Sequence, residues 1–138
     1  MKKLYFGHPV NFYEGSDLNT HGKAEFNLIK RISKEFPEYS IENPNQPHHQ
    51  ENYVKWKKEK GSGMKYYFEE VLPGMDAGIF LTFEDGMFGA GVFGEAEFLR
   101  ENGKILYEID YKGKISNLAL DDSRCLSIDE TRKRVYPK

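Results

Sequence analysis

A chain of 138 residues fits one domain, residues 1–138, long enough to bury its own core. With 20 basic against 22 acidic side chains the net charge is −2, which argues against a broad surface for a nucleic-acid polymer or an anionic membrane. A single cysteine, Cys125, excludes an internal disulfide framework and metal centres built on several cysteines, and MKKLYFGHPV is too short an apolar stretch for a signal peptide or membrane span, so a cytoplasmic protein is expected.

Residues 3–6 (KLYF) form the first predicted strand, ended by Gly7 and the His8-Pro9 step. Residues 10–19 are turn-rich, and a helix is predicted over 20–36, where Phe26, Leu28, Ile29, Ile32 and Phe36 make an apolar stripe ended by Pro37. A second strand follows at 39–42 (YSIE), then a loop over 43–49 (NPNQPHH) and a polar helix over 50–60 stopped by Gly61-Ser62-Gly63. The basic run at 55–60 (KWKKEK) reads as a solvated helix face. A helical piece over 64–71 ends at Pro73-Gly74; the third strand is predicted over 77–83, a helix follows the glycine-rich loop, and the fourth strand spans 104–109. Residues 115–120 predict a fifth strand, and Ser127 with Glu130 has the form of a capping box opening a last helix.

Strands alternating with helices imply an α/β fold, a three-layer α/β/α sandwich on a mostly parallel sheet of four or five strands. In such a sheet, ligands bind beyond the carboxyl ends of the strands at the switch point in strand order. That rule selects the loop Gly7-His8-Pro9-Val10-Asn11, the loop over 43–49 with Asn45, and the loop over 84–91 with Gly89, Gly91 and the adjoining Val92. Tyr5 is placed to aim its hydroxyl into the same crevice, while Asp76, preceding its strand, belongs to the opposite edge.

The stretch over 84–103, EDGMFGAGVFGEAEFLRENG, is the centre of this scheme. On a helical wheel Glu95 shares a face with Gly91, Val92, Phe98 and Leu99, whereas Glu97 shares one with Phe93, Gly94, Arg100 and Glu101. Glu97 is therefore expected in solvent and Glu95 on the stripe facing the sheet. A buried carboxylate is costly unless compensated, and the helix N-terminus offers compensation, so Glu95 is expected ionised and poorly solvated, as a nucleophile requires. The alternatives are a surface glutamate or the structural partner of a buried arginine.

Gly89-x-Gly91-x-x-Gly94 has the form of a dinucleotide fingerprint, but it follows the third strand, is separated from Phe83 by five residues, and leaves no room for a substrate domain. A phosphate near that helix terminus remains compatible with it. His48 and His49, with His8 or His21, lack metal-ligand spacing and read as solvated loop histidines, so neither a metal nor a cofactor is expected. Neither a serine nucleophile elbow nor a partner motif for Cys125 is present.

Tyr5-Phe6-Gly7 on the first strand, Asp76-Ala77 opening the third, and Gly91-Val92-Phe93-Gly94-Glu95 followed by Gly103-Lys104 resemble the nucleoside 2-deoxyribosyltransferase family and the related nucleoside 5′-monophosphate N-glycosidases, over residues 3–109. The resemblance implies a flavodoxin-like, deoxyribosyltransferase-like domain that cleaves or exchanges N-glycosidic bonds of a small nucleoside or nucleotide, with Glu95 as nucleophile and Tyr5 orienting it. It further implies a homo-oligomer, dimer or higher, with 66–68 (YYF) and the last helix as contact surfaces. Where transferases carry an aspartate six residues before the glutamate, this chain has Gly89, and Asp85 is the nearest substitute. Glu69 and Glu70 stand near the position of the family's other aspartate, and Glu97 replaces a small residue. The alternative function is a catalytically idle nucleotide-binding or sensor protein on the same scaffold.

Overall fold

The computed structural model describes residues 1–8 and 23–135. In chain order the elements are β1 (Lys2–Gly7), α1 (Lys23–Glu35), β2 (Tyr39–Glu42), α2 (Pro47–Lys60), α3 (Met64–Tyr66), β3 (Ala77–Leu81), α4 (Ala90–Glu101), β4 (Ile105–Ile109), β5 (Ile115–Asn117) and α5 (Ile128–Val135). The sheet order is β2-β1-β3-β4-β5, with the first four strands parallel and β5 antiparallel to β4. The expected α/β architecture with a mostly parallel five-stranded sheet is present. Its strand order reverses between β1 and β3, and the carboxyl ends of those two strands flank the switch point.

Strand alternation divides the core in two. Leu4, Phe6, Ala77, Ile79, Leu81 and Ile109 pack with Leu28, Ile32 and Phe36 of α1 on one face. Tyr5 and Phe80 point to the other face, against Tyr66, Val92, Phe93, Ala96 and Leu99. Glycine makes room for this second layer: a Cβ on Gly7 would lie 2.3 Å from Phe80 Cδ1, and one on Gly78 would lie 2.6 Å from Phe80 Cε2 and 2.8 Å from Leu99 Cδ1. Gly7 is therefore a packing glycine beneath the Phe80 ring.

Several boundaries differ from the expectations. The loop over 43–49 is shorter, because α2 already includes Pro47, whose fixed φ and missing N–H suit the first helical turn. His48 and His49 thus stand on a helix. The helix expected over 64–71 is one α turn followed by a π turn (Tyr67–Val71) and a 3-10 turn (Leu72–Gly74). Pro73 has no amide hydrogen with which to continue an i→i−4 ladder. Strand β3 ends at Leu81 and β5 at Asn117, each earlier than expected. The reversal into β5 is a tight turn in which Asp110 Oδ1 accepts from the amides of Lys112 and Lys114, both at 2.9 Å, and Gly113 takes φ 85°.

Two local expectations hold. Ser127 Oγ accepts from the Glu130 amide at 3.1 Å and the Glu130 carboxylate reaches back to the Ser127 amide, completing the capping box. Asp76 accepts from the Lys3 amide at 2.8 Å, at the edge opposite the strand carboxyl ends.

Candidate functional site

Strand β1 and helix α4 meet at one pair of side chains. Tyr5 is fully buried, and its hydroxyl donates to Glu95 Oε2 across 2.6 Å. Glu95 is 5% exposed and shares the inward stripe of α4 with Val92, Ala96 and Leu99, as the helical wheel requires. Glu97 is half-buried rather than fully in solvent.

The expected charge state of Glu95 is corrected. Burial pushes its carboxyl up to about 8, and the Tyr5 hydrogen bond only partly opposes that rise. Helix-terminus compensation fails for a geometric reason: α4 begins at Ala90, so Glu95 lies beyond the first turn, where the end charge is felt. The carboxyl is therefore mostly protonated at neutral pH. Tyr5 is held as the neutral phenol, first by burial and then by the neighbouring Glu95.

Tyr67 belongs to the same buried cluster as Tyr5, whereas the sequence predicts it on an oligomer surface. It is buried beside Tyr66 with ring centroids 5.2 Å apart, and its hydroxyl donates to the Pro44 carbonyl at 3.1 Å. Burial, then the Glu95 charge, pushes the Tyr67 phenol well above its ordinary value. Of the expected contact surface over 66–68, Tyr66 and Tyr67 are core residues and Phe68 packs edge-on against Phe98.

A second polar cluster occupies the other side of the sheet at the same edge. His8 is 3% exposed, stacks on Phe6 at 4.2 Å, and places Nδ1 at 2.9 Å from the Phe6 carbonyl and Nε2 at 2.9 Å from Glu25 Oε2. Asn45 Nδ2 donates to the same Glu25 oxygen at 2.9 Å, and the Asn45 carbonyl accepts from Gln50. Burial raises Glu25, but the hydrogen bonds from His8 and Asn45 outweigh it and leave the carboxyl below its usual range. The expected solvated loop histidines are thus corrected for His8 and for His49, which is 5% exposed. His21, Pro9, Val10 and Asn11 lie outside the described residues.

Other expected site residues are elsewhere. Asp85 is exposed, and both of its oxygens are taken by Arg134 of α5, at 3.0 and 2.8 Å. Those hydrogen bonds hold its carboxyl below the usual range, and the described hydrogen bonds of its side chain go to Arg134 and the Met87 amide rather than to Glu95 or Tyr5. Glu69 is exposed on the π turn whose inner side carries Tyr67 and Val71. Gly89 is buried against α5: a Cβ there would lie 3.1 Å from Thr131 Cγ2, and Thr131 Oγ1 accepts from the Ala90 amide at 2.9 Å. That amide at the start of α4 is thereby satisfied from within the chain, which weakens the phosphate reading of the glycine motif. Gly91 is exposed, with only Met64 Cε near its Cβ position, at 3.9 Å. Val92 contributes a buried side chain to the core around Tyr5.

Strand β2 adds residues that sequence reading passed over. Glu42 pairs with Tyr5 in the parallel register and so shares its face of the sheet. The alternation within YSIE already carried that signal, since Tyr39 and Ile41 pack toward α1.

No family model, curated protein or solved structure matches the chain.

Proposed function

We propose that the chain cleaves or exchanges the N-glycosidic bond of a nucleoside or nucleoside 5′-monophosphate, with Glu95 as nucleophile. The observation that carries this reading is the buried Tyr5–Glu95 pair at the carboxyl edge of the β1/β3 switch point. The motif resemblance to nucleoside 2-deoxyribosyltransferases and the mostly parallel five-stranded α/β sheet support it. In the reaction the Glu95 carboxylate attacks the anomeric carbon, the C1′–N bond breaks, and its electron pair leaves with the base, which takes up a proton. The resulting glycosyl ester is resolved by water in a hydrolase or by a second base in a transferase. Tyr5 holds the carboxylate in position, and its hydrogen bond favours the ionised form that must attack.

A second reading, nucleotide binding without turnover, is favoured by the same carboxyl raised to about 8. A neutral carboxyl donates a hydrogen bond to a ligand and does not attack it. The test is to incubate the protein with ribo- and deoxyribonucleosides and their 5′-monophosphates, with and without an acceptor base, and to separate the products by chromatography. Free base from wild type but not from Glu95→Ala supports cleavage, and base exchange makes the protein a transferase. Thermal stabilisation by a nucleotide with no product supports the binding protein.

A further inference from the structure

Apart from the Glu95 pair, the carboxyl end of β2 and the first turn of α2 gather a set of ligating side chains. Glu42, His48 and His49 present donor atoms that all lie within 4.8 Å of one another. His49 Nε2 stands 2.8 Å from Glu42 Oε2, and Gln46 Nε2 donates to that same oxygen at 2.9 Å. Among the described residues, Glu42 Oε1 has no partner. On its other side His49 Nδ1 meets the Tyr66 hydroxyl at 2.6 Å, and Asn52 Nδ2 donates to that hydroxyl at 3.3 Å.

We propose that Glu42, His48 and His49 bind one divalent transition-metal ion of the zinc class. The donor set is two imidazoles and a carboxylate, which suits a borderline ion and disfavours magnesium or calcium, whose preferred ligands are oxygens. Two donors about 2.1 Å from a tetrahedral ion stand roughly 3.4 Å apart. The 2.8 Å hydrogen bond between His49 and Glu42 therefore has to open only a little to admit one. His48 is exposed, so its ring can turn to close the third position without disturbing the core. Tyr66 supplies the outer support that a ligating histidine ordinarily has: with the ion on Nε2, Nδ1–H donates to the Tyr66 oxygen and fixes the ring. The positive end of α2 opposes a cation here, so the site depends on the Glu42 charge. Glu42 lies beside Tyr5 in the β1/β2 register, so the ion would stand at the same sheet edge as the Glu95 pair. This inference does not rest on the proposed reaction.

The test is calorimetric titration of the full chain, first freed of metal by chelator, with zinc chloride in excess magnesium. One zinc ion per chain is expected, with affinity reduced at least about tenfold in His48→Ala and in Glu42→Gln. Circular dichroism checks that each variant is folded, and His48→Ala, at an exposed position, decides alone if Glu42→Gln fails to fold. Absence of saturable zinc binding, or wild-type affinity in a folded variant, overturns the proposal.

Discussion

Asp85 and Glu95 lie ten residues apart on either side of the same glycine-rich turn, and the fold gives them opposite chemistry. Asp85 is half-exposed and clamped by Arg134, so it stays ionised to unusually low pH. Glu95 is buried against a phenol that donates one hydrogen bond and carries no charge, so it holds its proton up to about 8. Two carboxylates that look alike in sequence are thus separated by burial and by the charge of the partner.

On the proposed reaction, Glu95→Ala should lower base release by about a thousandfold or more, whereas Asp85→Ala should leave it within a few-fold; steady-state kinetics on both variants tests the contrast. Next in size is the pH dependence. Because the attacking form is the carboxylate, kcat/KM should rise with pH toward a plateau above about 8, and Tyr5→Phe should move that midpoint upward while lowering the rate. Stability should show the reverse trend. The folded carboxyl binds its proton more tightly than the unfolded one, so stability is greatest below the ordinary value of 4.5 and declines as pH rises through about 8. Glu95→Gln should remove that decline in denaturant titrations at several pH values. Gly78→Ala should cost about 1–3 kcal/mol by forcing Phe80 and Leu99 aside, read as a fall in denaturation midpoint. The smallest effect belongs to Asp85→Ala, below about 1 kcal/mol, and it should shrink further at high salt.

Much of this was legible in the sequence because periodicity reports which face is buried. The succession of strands and helices, the capping box at Ser127, the inward position of Glu95 and the buried Leu28 and Ile32 of α1 follow from spacing, whereas Phe26, expected on the same stripe, is 66% exposed. The partners of a carboxylate do not, since they arrive from distant segments: Arg134 reaches Asp85 from α5, and Tyr67 reaches the Glu95 region from a π turn that no apolar spacing announces. The upward shift of Glu95 is hidden from the sequence for a related reason. Its distance from the helix start decides whether the end charge helps, and the first amide of that helix, Ala90, is bound by Thr131 Oγ1, 41 positions further along the chain. His49 is buried where composition predicts a loop because Pro47 opens a helix, and His8 is buried by its stacking on Phe6 and its contact with Glu25.

The central claim is that Glu95 becomes covalently bonded to the sugar. Its most direct test is to quench the protein with acid during turnover of a cleaved nucleoside or nucleotide and map added mass by peptide mass spectrometry. A pentosyl adduct, with or without the 5′-phosphate, on the peptide containing Glu95 and absent from Glu95→Ala is the predicted result. Base release by Glu95→Ala at the wild-type rate would contradict the claim.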